Sequence, residues 1–300
     1  MRGTSMLQPY DLMEQLLSAI EDHITEPVTI SDLSKRFYIS AIHLQRLFKF
    51  AFGIPLAGYI RSRKLAASVE KLLSTDYRII DIANEYGFTH EQAYIRAFKK
   101  EYCITPGELR RSGMVIKVLP PLQIFPKNKL PNGAMFGPDI VMVPEFQVIG
   151  RRFVVPFDQS VVLPPQLAKS FWEEDSFRIK NIVESSVYYG ITRIDDLKDG
   201  YSYYMPSVKV KDISHIPEGM MADCFPTSMC ARFHYIGRHH YYDINADMAR
   251  GMYDAICDFA NKEGKKYETQ HQKLYFERIS EEDYDGTYCQ MEWFTPIHKL

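Results

Sequence analysis

Apolar residues recur at helical spacing up to about residue 110, and there the pattern changes. Leu12, Leu16, Leu17, Ile20 and Ile24 form one stripe, and Pro27 stops that helix. Thr29 is a fitting N-cap for a short second helix, with Asp32 in its first turn and Ile30, Leu33 and Phe37 inward. After the brief connection Tyr38–Ile39, Ser40 is placed to cap a third helix. In it Leu44, Leu47 and Phe48 fall on one side, and Ile42, Gln45, Arg46 and Lys49 on the other. Two short helices joined by a tight turn, the second with a polar outer face, predict a helix-turn-helix. Gly53 ends the third helix and Pro55 starts the next.

Pro55–Ser74 reads as one long helix, with Leu56, Tyr59, Ile60, Leu65 and Val69 on an apolar side and Arg61, Arg63, Lys64 and Lys71 on a basic one. The earlier pattern then returns. Ile79, Ile82, Ala83 and Tyr86 outline a short helix, Gly87 makes a turn, and Thr89 is the expected cap of a helix to about Glu101. Laid over LQRLFKF at Leu44–Phe50, YIRAFKK at Tyr94–Lys100 puts Arg96 on Arg46, Phe98 on Phe48 and Lys99 on Lys49. An internal repeat of this kind is far more specific than one polar helix face. Those faces suit a DNA major groove, where guanidinium and amide groups read base edges and ammonium groups meet phosphates. A connector of about 20 residues is ~30 Å long at ~1.5 Å per residue. Successive major grooves lie ~34 Å apart, so one monomer is expected to reach two adjacent grooves of double-stranded DNA. Gln92, three residues after Thr89, is also placed to complete a capping box instead of touching a base.

Residues 119–138 hold five prolines and two glycines and read as an extended connector lying against a domain surface. The expected division is 1–112, a connector over 113–140, and a second domain over 141–300. In that domain Gln147–Phe157, Val187–Ile194, Tyr201–Val210, Cys230–Tyr235, Leu274–Ile279 and Tyr288–Pro296 are strand-like, with a turn at Asp199-Gly200. Leu163–Ile182 and Asn245–Gly264 are the helices. The order β-α-β-β occurs twice and predicts an α+β domain, a mixed sheet with two helices on one face.

Composition alters this picture little. The chain of 300 residues is 46% hydrophobic and 25% charged, with net charge -2, which gives no global signal for nucleic acid. The balance is uneven: residues 1–112 hold 15 basic and 13 acidic side chains, the remainder 21 and 25. Five cysteines without a CxxC pair argue for a reducing compartment, and no apolar run is long enough for a membrane span. With no export signal evident at the N-terminus, the cytoplasm is expected. No nucleophile triad, P-loop or zinc motif is visible, so neither catalysis, a metal nor a cofactor is expected. The second half is instead rich in aromatics. Trp172, Phe177, Tyr188, Tyr203 and Phe294, with one buried acid, would bind a flat hydrophobic cation. The acid chosen is Glu292, within the apolar strand around it, sharing its face with Gln290 and Phe294 by alternation.

Leu44 to Ala66 and Ile79 to Arg110 together resemble the AraC/XylS regulator domain, over about residues 8–111. Ala93-Tyr94 and Cys103 stand where that family has Tyr-Phe and Gly. HLQR at His43–Arg46 is similar to the MarA–SoxS–Rob group. The resemblance implies DNA contacts at Ile42, Gln45, Arg46, Gln92 and Arg96, with Lys49 and Lys99 at phosphates, and activation through RNA polymerase. Ile42 replaces a Trp, and Glu91 and Ile95 replace polar residues, so a different operator is expected. Phe171-Trp172, Tyr189-Gly190, Phe276-Glu277-Arg278 and Glu292 resemble the GyrI-like effector domain, whose acidic ligand residue falls on Glu292. The fold class is thus an all-α double helix-turn-helix domain followed by a GyrI-like α+β domain. The expected function is a ligand-responsive transcription activator. A nucleoid-type protein without ligand, a GyrI-like hydrolase using Glu292 and a purely protein-binding second half remain open on the sequence.

Overall fold

The computed structural model describes residues 7–160, 162–194, 200–263, 266–269 and 273–300. The chain divides into two compact units, the first over Asp11–Ile124 with Leu7, the second over Phe125–Leu300 with Gln8–Tyr10. Asp199 of the expected turn and Gly264 at the expected helix end lie outside the described residues.

The first unit is helical. Helices α1 (Pro9–Asp22), α2 (Ile30–Phe37), α3 (Ala41–Phe52), α4 (Leu56–Ser74), α5 (Ile79–Glu85), α6 (Glu91–Tyr102) and α7 (Pro106–Ser112) follow in order. Their ends are written in the local sequence. Thr29 accepts from the Asp32 backbone N–H and Ser40 from that of His43, satisfying donors that a helix start leaves unpaired. Thr105 and Glu108 close a reciprocal capping box at α7. Gly53 ends α3 in the left-handed region, and Cys103 takes the same conformation at the end of α6. The repeat is therefore structural: Leu44 and Tyr94, like Phe48 and Phe98, are fully buried at matching positions fifty residues apart.

The long helix α4 joins the two halves of this unit, and its predicted basic side needs correcting. Arg63 and Lys64 are buried. Arg63 makes a two-pronged contact with Glu21 of α1, Nε and Nη2 each at 2.8 Å, and Nη1 donates to the Leu119 carbonyl. Lys64 donates to the Glu26 carbonyl at 2.6 Å, and Lys71 pairs with Glu85. On its other flank α4 meets the second half, where the buried hydroxyls of Ser68 and Tyr94 lie 2.9 Å apart. These cations were read as surface because periodicity places them away from the apolar stripe, whereas α4 is surrounded on several sides. Residues of the connector lie along this unit too, Leu122 N–H donating to the Tyr59 hydroxyl at 3.1 Å.

The second unit is a sheet carrying two helices. Its strands are β1 (Lys129–Leu130), β2 (Gly133–Val143), β3 (Phe146–Gly150), β4 (Phe153–Pro156), β5 (Val187–Arg193), β6 (Tyr201–Val210), β7 (Met221–Phe225), β8 (Ser228–Gly237), β9 (Tyr267–Thr269), β10 (Leu274–Ser280) and β11 (Cys289–Lys299). Helix α8 (Leu163–Glu174) precedes β5, and α9 (Ala246–Glu263) precedes β9. The order across the sheet is β1-β2-β8-β11-β10-β5-β6-β3-β7, with β4 on β6 and β9 on β11. The duplication is visible in it: β3-β6-β5 from one half meets β10-β11-β8 from the other. The joining strands β5 and β10 are antiparallel, as two copies related by a two-fold axis must be. The strand pairs among the described residues are antiparallel, so the expected mixed sheet is corrected on that point.

Three further differences concern the connector, the first strand and the first helix. Residues 129–143, mostly assigned to the connector, hold β1 and the eleven-residue β2, which pairs with β8. Pro138 is accommodated at a register shift between Phe136 and Asp139, where the ladder is already interrupted. The strand predicted over Gln147–Phe157 is broken at Arg151-Arg152 into β3 and β4. Helix α8 ends at Glu174, well before Ile182.

Arg63→Ala should destabilise the first unit by about 3 kcal/mol, because it leaves Glu21 without its buried partner. Exposed Arg61→Ala should change stability by less than about 0.5 kcal/mol. Chemical unfolding of the two variants measures the contrast, and equal small effects would count against the buried clamp.

Candidate functional site

The first candidate surface is the outer side of α3 and α6. Ile42 is 81% exposed and Lys49 is exposed, while Gln45 and Arg46 are half-buried. The Gln45 amide donates to the Ala41 carbonyl at 3.1 Å. On α6, Gln92, Arg96 and Lys99 are exposed. The expected cap Thr89 is not the N-cap; His90 is, in extended conformation and with no side-chain cap bond. A Thr89–Gln92 capping box is therefore absent, because Thr89 sits one residue too early. Glu91 is the first residue of the helix, where a carboxylate is favoured by the helix dipole.

The second candidate is a cavity of about 620 Å³ in the second unit. Its floor is the centre of the sheet, with Tyr188 on β5, Tyr204 on β6, Glu277 on β10 and Trp293 on β11. Trp172 of α8 and Tyr253 of α9 line it from the two helices. The volume is in the range of small-molecule sites.

Glu277 is the chemical centre of this cavity. It lies directly across the ladders from Gly190 and Trp293. A Cβ at Gly190 would sit 2.2 Å from the Glu277 Oε1 and 2.7 Å from the Tyr204 hydroxyl, so glycine there leaves room for the carboxyl in this position. The Tyr204 hydroxyl donates to Glu277 Oε1 at 2.8 Å, and with that proton committed the Tyr188 hydroxyl donates to Tyr204. Burial pushes the Glu277 carboxyl up to about 7, against the lowering effect of the Tyr204 bond. Burial also drives Tyr188 and Tyr204 well above the ordinary phenol range. Trp293 stacks on Tyr275, centroids 5.6 Å apart at 11°, and its Nε1 has no hydrogen-bond partner among the described residues. The site thus offers aromatic faces, a donor without a partner and a carboxyl whose charge is easily tipped.

Of the ligand residues expected from the sequence, Trp172 and Tyr188 line the cavity and four do not. Glu292 points to the opposite face, where Arg232 and Arg278 bond its two oxygens at 3.1 and 3.2 Å. Phe294 is on that face as well, stacked on Phe276 with centroids 4.7 Å apart. Tyr203 neighbours Arg152, whose guanidinium is 5.1 Å from its ring, and Phe177 is 76% exposed. The alternation along β11 was read correctly, but the cavity is on the Met291 and Trp293 side. The missed acid had a signal of its own, since Glu277 alternates with Tyr275 and Ile279 in an otherwise apolar strand.

A double helix-turn-helix unit followed by a duplicated β-α-β-β domain with a central cavity defines a two-part protein, one part for nucleic acid and one for a small molecule. Residues 33–112 match the model of a helix-turn-helix domain, and residues 137–288 that of the GyrI-like small molecule binding domain. The chain is 36% identical to Transcriptional regulator Rob of Salmonella typhimurium over 115 residues, 38% of this chain and 40% of the relative. It is 35% identical to Multiple antibiotic resistance protein MarA of Escherichia coli over 102 residues, 34% of this chain and 80% of MarA. The C-terminal domain of the response regulator yesN from Fusobacterium nucleatum shares 33% identity, with a TM-score of 0.33, over 33% of this chain and 98% of that one. The chain belongs to the MarA–SoxS–Rob-like regulators of the AraC family that carry a GyrI-like domain. The match to Rob covers about two fifths of Rob's length. No described helix is long and apolar enough to cross a membrane.

The raised Glu277 carboxyl has a stability consequence. Its folded value of about 7 exceeds the ordinary value of 4.5, so the folded state holds the proton longer, and Glu277 destabilises the fold increasingly as pH rises between those values. Glu277→Gln should therefore stabilise the protein more at pH ~8 than at pH ~5. Thermal melting at the two pH values tests this, and a gain independent of pH would show that Glu277 does not hold its proton in the fold.

Proposed function

We propose that the protein is a sequence-specific transcription regulator that responds to a small aromatic or amphipathic cation. The first unit binds double-stranded DNA through α3 and α6, one in each of two adjacent major grooves. Ile42, Gln45, Arg46, Gln92 and Arg96 read base edges, and Lys49 and Lys99 meet phosphates. The second unit holds the ligand, with Glu277 as counter-charge, and occupancy alters the activation of transcription through RNA polymerase in the cytoplasm.

The observation that carries the ligand half is the half-buried Glu277 carboxyl, held up near 7 by desolvation in an aromatic cavity. A desolvated carboxyl with no basic partner among the described residues is costly when ionised, and a bound cation removes that cost. For the DNA half the support is the repeat itself: two helices of equal length present Arg46 and Arg96 at the same phase behind matched buried aromatic or aliphatic residues. Ile42, highly exposed at the start of α3, is suited to a thymine methyl.

Selection of bound DNA from a random pool should return a defined site. Affinity for that site should exceed that for random DNA by about a thousandfold or more; a ratio below about ten would favour a sequence-tolerant nucleoid role. Arg46→Ala should weaken specific binding by about 1–3 kcal/mol and relax one base pair, whereas equal loss on every sequence would make Arg46 a phosphate contact.

Cation binding should tighten by about tenfold from pH ~6 to pH ~8, because the ligand selects the ionised form of a carboxyl near 7. Asp158, Glu281 and Arg250 also line the cavity. Calorimetry in buffers of different ionisation enthalpy should detect proton release at pH ~6, and a neutral analogue should lack both effects.

A further inference from the structure

The cavity holds a second carboxylate that the reading above does not use. Glu281 follows Glu277 by four positions, in the turn directly after β10, and both line the same space. At ~3.3 Å per residue their backbone positions are ~13 Å apart. Glu277 lies deep among Tyr204, Tyr275 and Trp293, whereas Glu281 is exposed at the mouth.

Glu281 is held in place. It accepts from the Trp172 indole N–H at 2.8 Å and from the Tyr241 hydroxyl at 3.0 Å. Tyr241 packs edge-on against Tyr242, with ring centroids 4.6 Å apart. A cation already lies on this aromatic rim, since Lys169 Nζ is 5.6 Å from the Tyr242 ring centroid. The mouth therefore combines a fixed carboxylate with three aromatic rings, the chemistry that binds quaternary and primary ammonium groups. Among the described lining residues Asp158 is a third acid, against one guanidinium, that of Arg250.

We infer that the cavity is built for an elongated dication, with one cationic end at Glu277 and the other at Glu281 within the ring formed by Trp172, Tyr241 and Tyr242. The apolar middle of such a molecule lies along Ile279, which sits between the two acids on β10 and lines the cavity. This inference rests on the proposal that the second unit binds a small cation.

The test is calorimetry on the full chain with two probes, a decane bearing a trimethylammonium at each end and the same decane bearing only one. The dication should bind at least about tenfold more tightly. Glu281→Gln retains an acceptor for Trp172 and Tyr241, so the rim keeps its shape. It should abolish the dication's advantage and leave the single cation within about twofold. Glu277→Gln should weaken both probes. Equal affinity of the two probes, or equal weakening of both by Glu281→Gln, would overturn the dication inference while leaving a cation site at Glu277. Absence of binding by either probe would remove the cation site, and the inference with it.

Discussion

The antiparallel pairing of β5 with β10 is the constraint on which the second unit depends. It joins two copies of one β-α-β-β unit at their edges, so each brings its helix to the same face of a continuous sheet. The helices α8 and α9 pack on that face through Phe171, Met248, Met252 and Ile256. The cavity lies over the central strands, lined by residues of both helices. Cα register then decides the chemistry. Gly190 on β5 faces Glu277 on β10, so the half without a side chain makes room for the half with a carboxyl. Close packing alone would have filled such a space with apolar atoms.

The first unit obeys a different constraint, the need to hold two short helix-turn-helix units in one relation. Each is too small to be stable alone, and helices of this length gain most of their stability from packing. Helix α4 supplies it on both flanks. The Arg63–Glu21 pair and the Lys64–Glu26 bond tie it to the first half, and Ser68–Tyr94 and Lys71–Glu85 tie it to the second. Three cations of the connecting helix are therefore engaged inside the unit. On α3 and α6, by contrast, Lys49, Arg96 and Lys99 are exposed.

The two units also use buried polarity in opposite ways. The buried Arg63 is matched by a carboxylate and a carbonyl, which stabilises one arrangement of helices. The half-buried Glu277 is met, among the described residues, by a neutral phenol, which leaves its charge poorly compensated. A satisfied buried charge specifies structure, whereas a poorly compensated one leaves free energy to be gained on binding. This contrast separates the scaffold from the site more clearly than composition does.

Much of the architecture was legible in the sequence because it is governed by local rules. Caps, left-handed turn residues and a 3.6-residue period mark helix ends and faces, so the fifty-residue repeat and both helix-turn-helix units follow from spacing alone. Alternation and the second β-α-β-β order likewise announced the duplicated domain. The connector's end was misplaced because prolines at 120, 121, 126, 131 and 138 conceal a strand whose partner, β8, is some ninety residues away. Local sequence records a strand's two faces but not which of them the helices will cover. Glu277 and Glu292 each alternate with apolar neighbours, and each reads as a buried acid in an aromatic strand. Only the pairing of β10 with β11 put Glu292 across from Arg278, where it is neutralised, and Glu277 across from Trp293, facing the cavity. The choice between the two acids is set by non-local register and by which face of the sheet the cavity occupies, which only the tertiary structure decides.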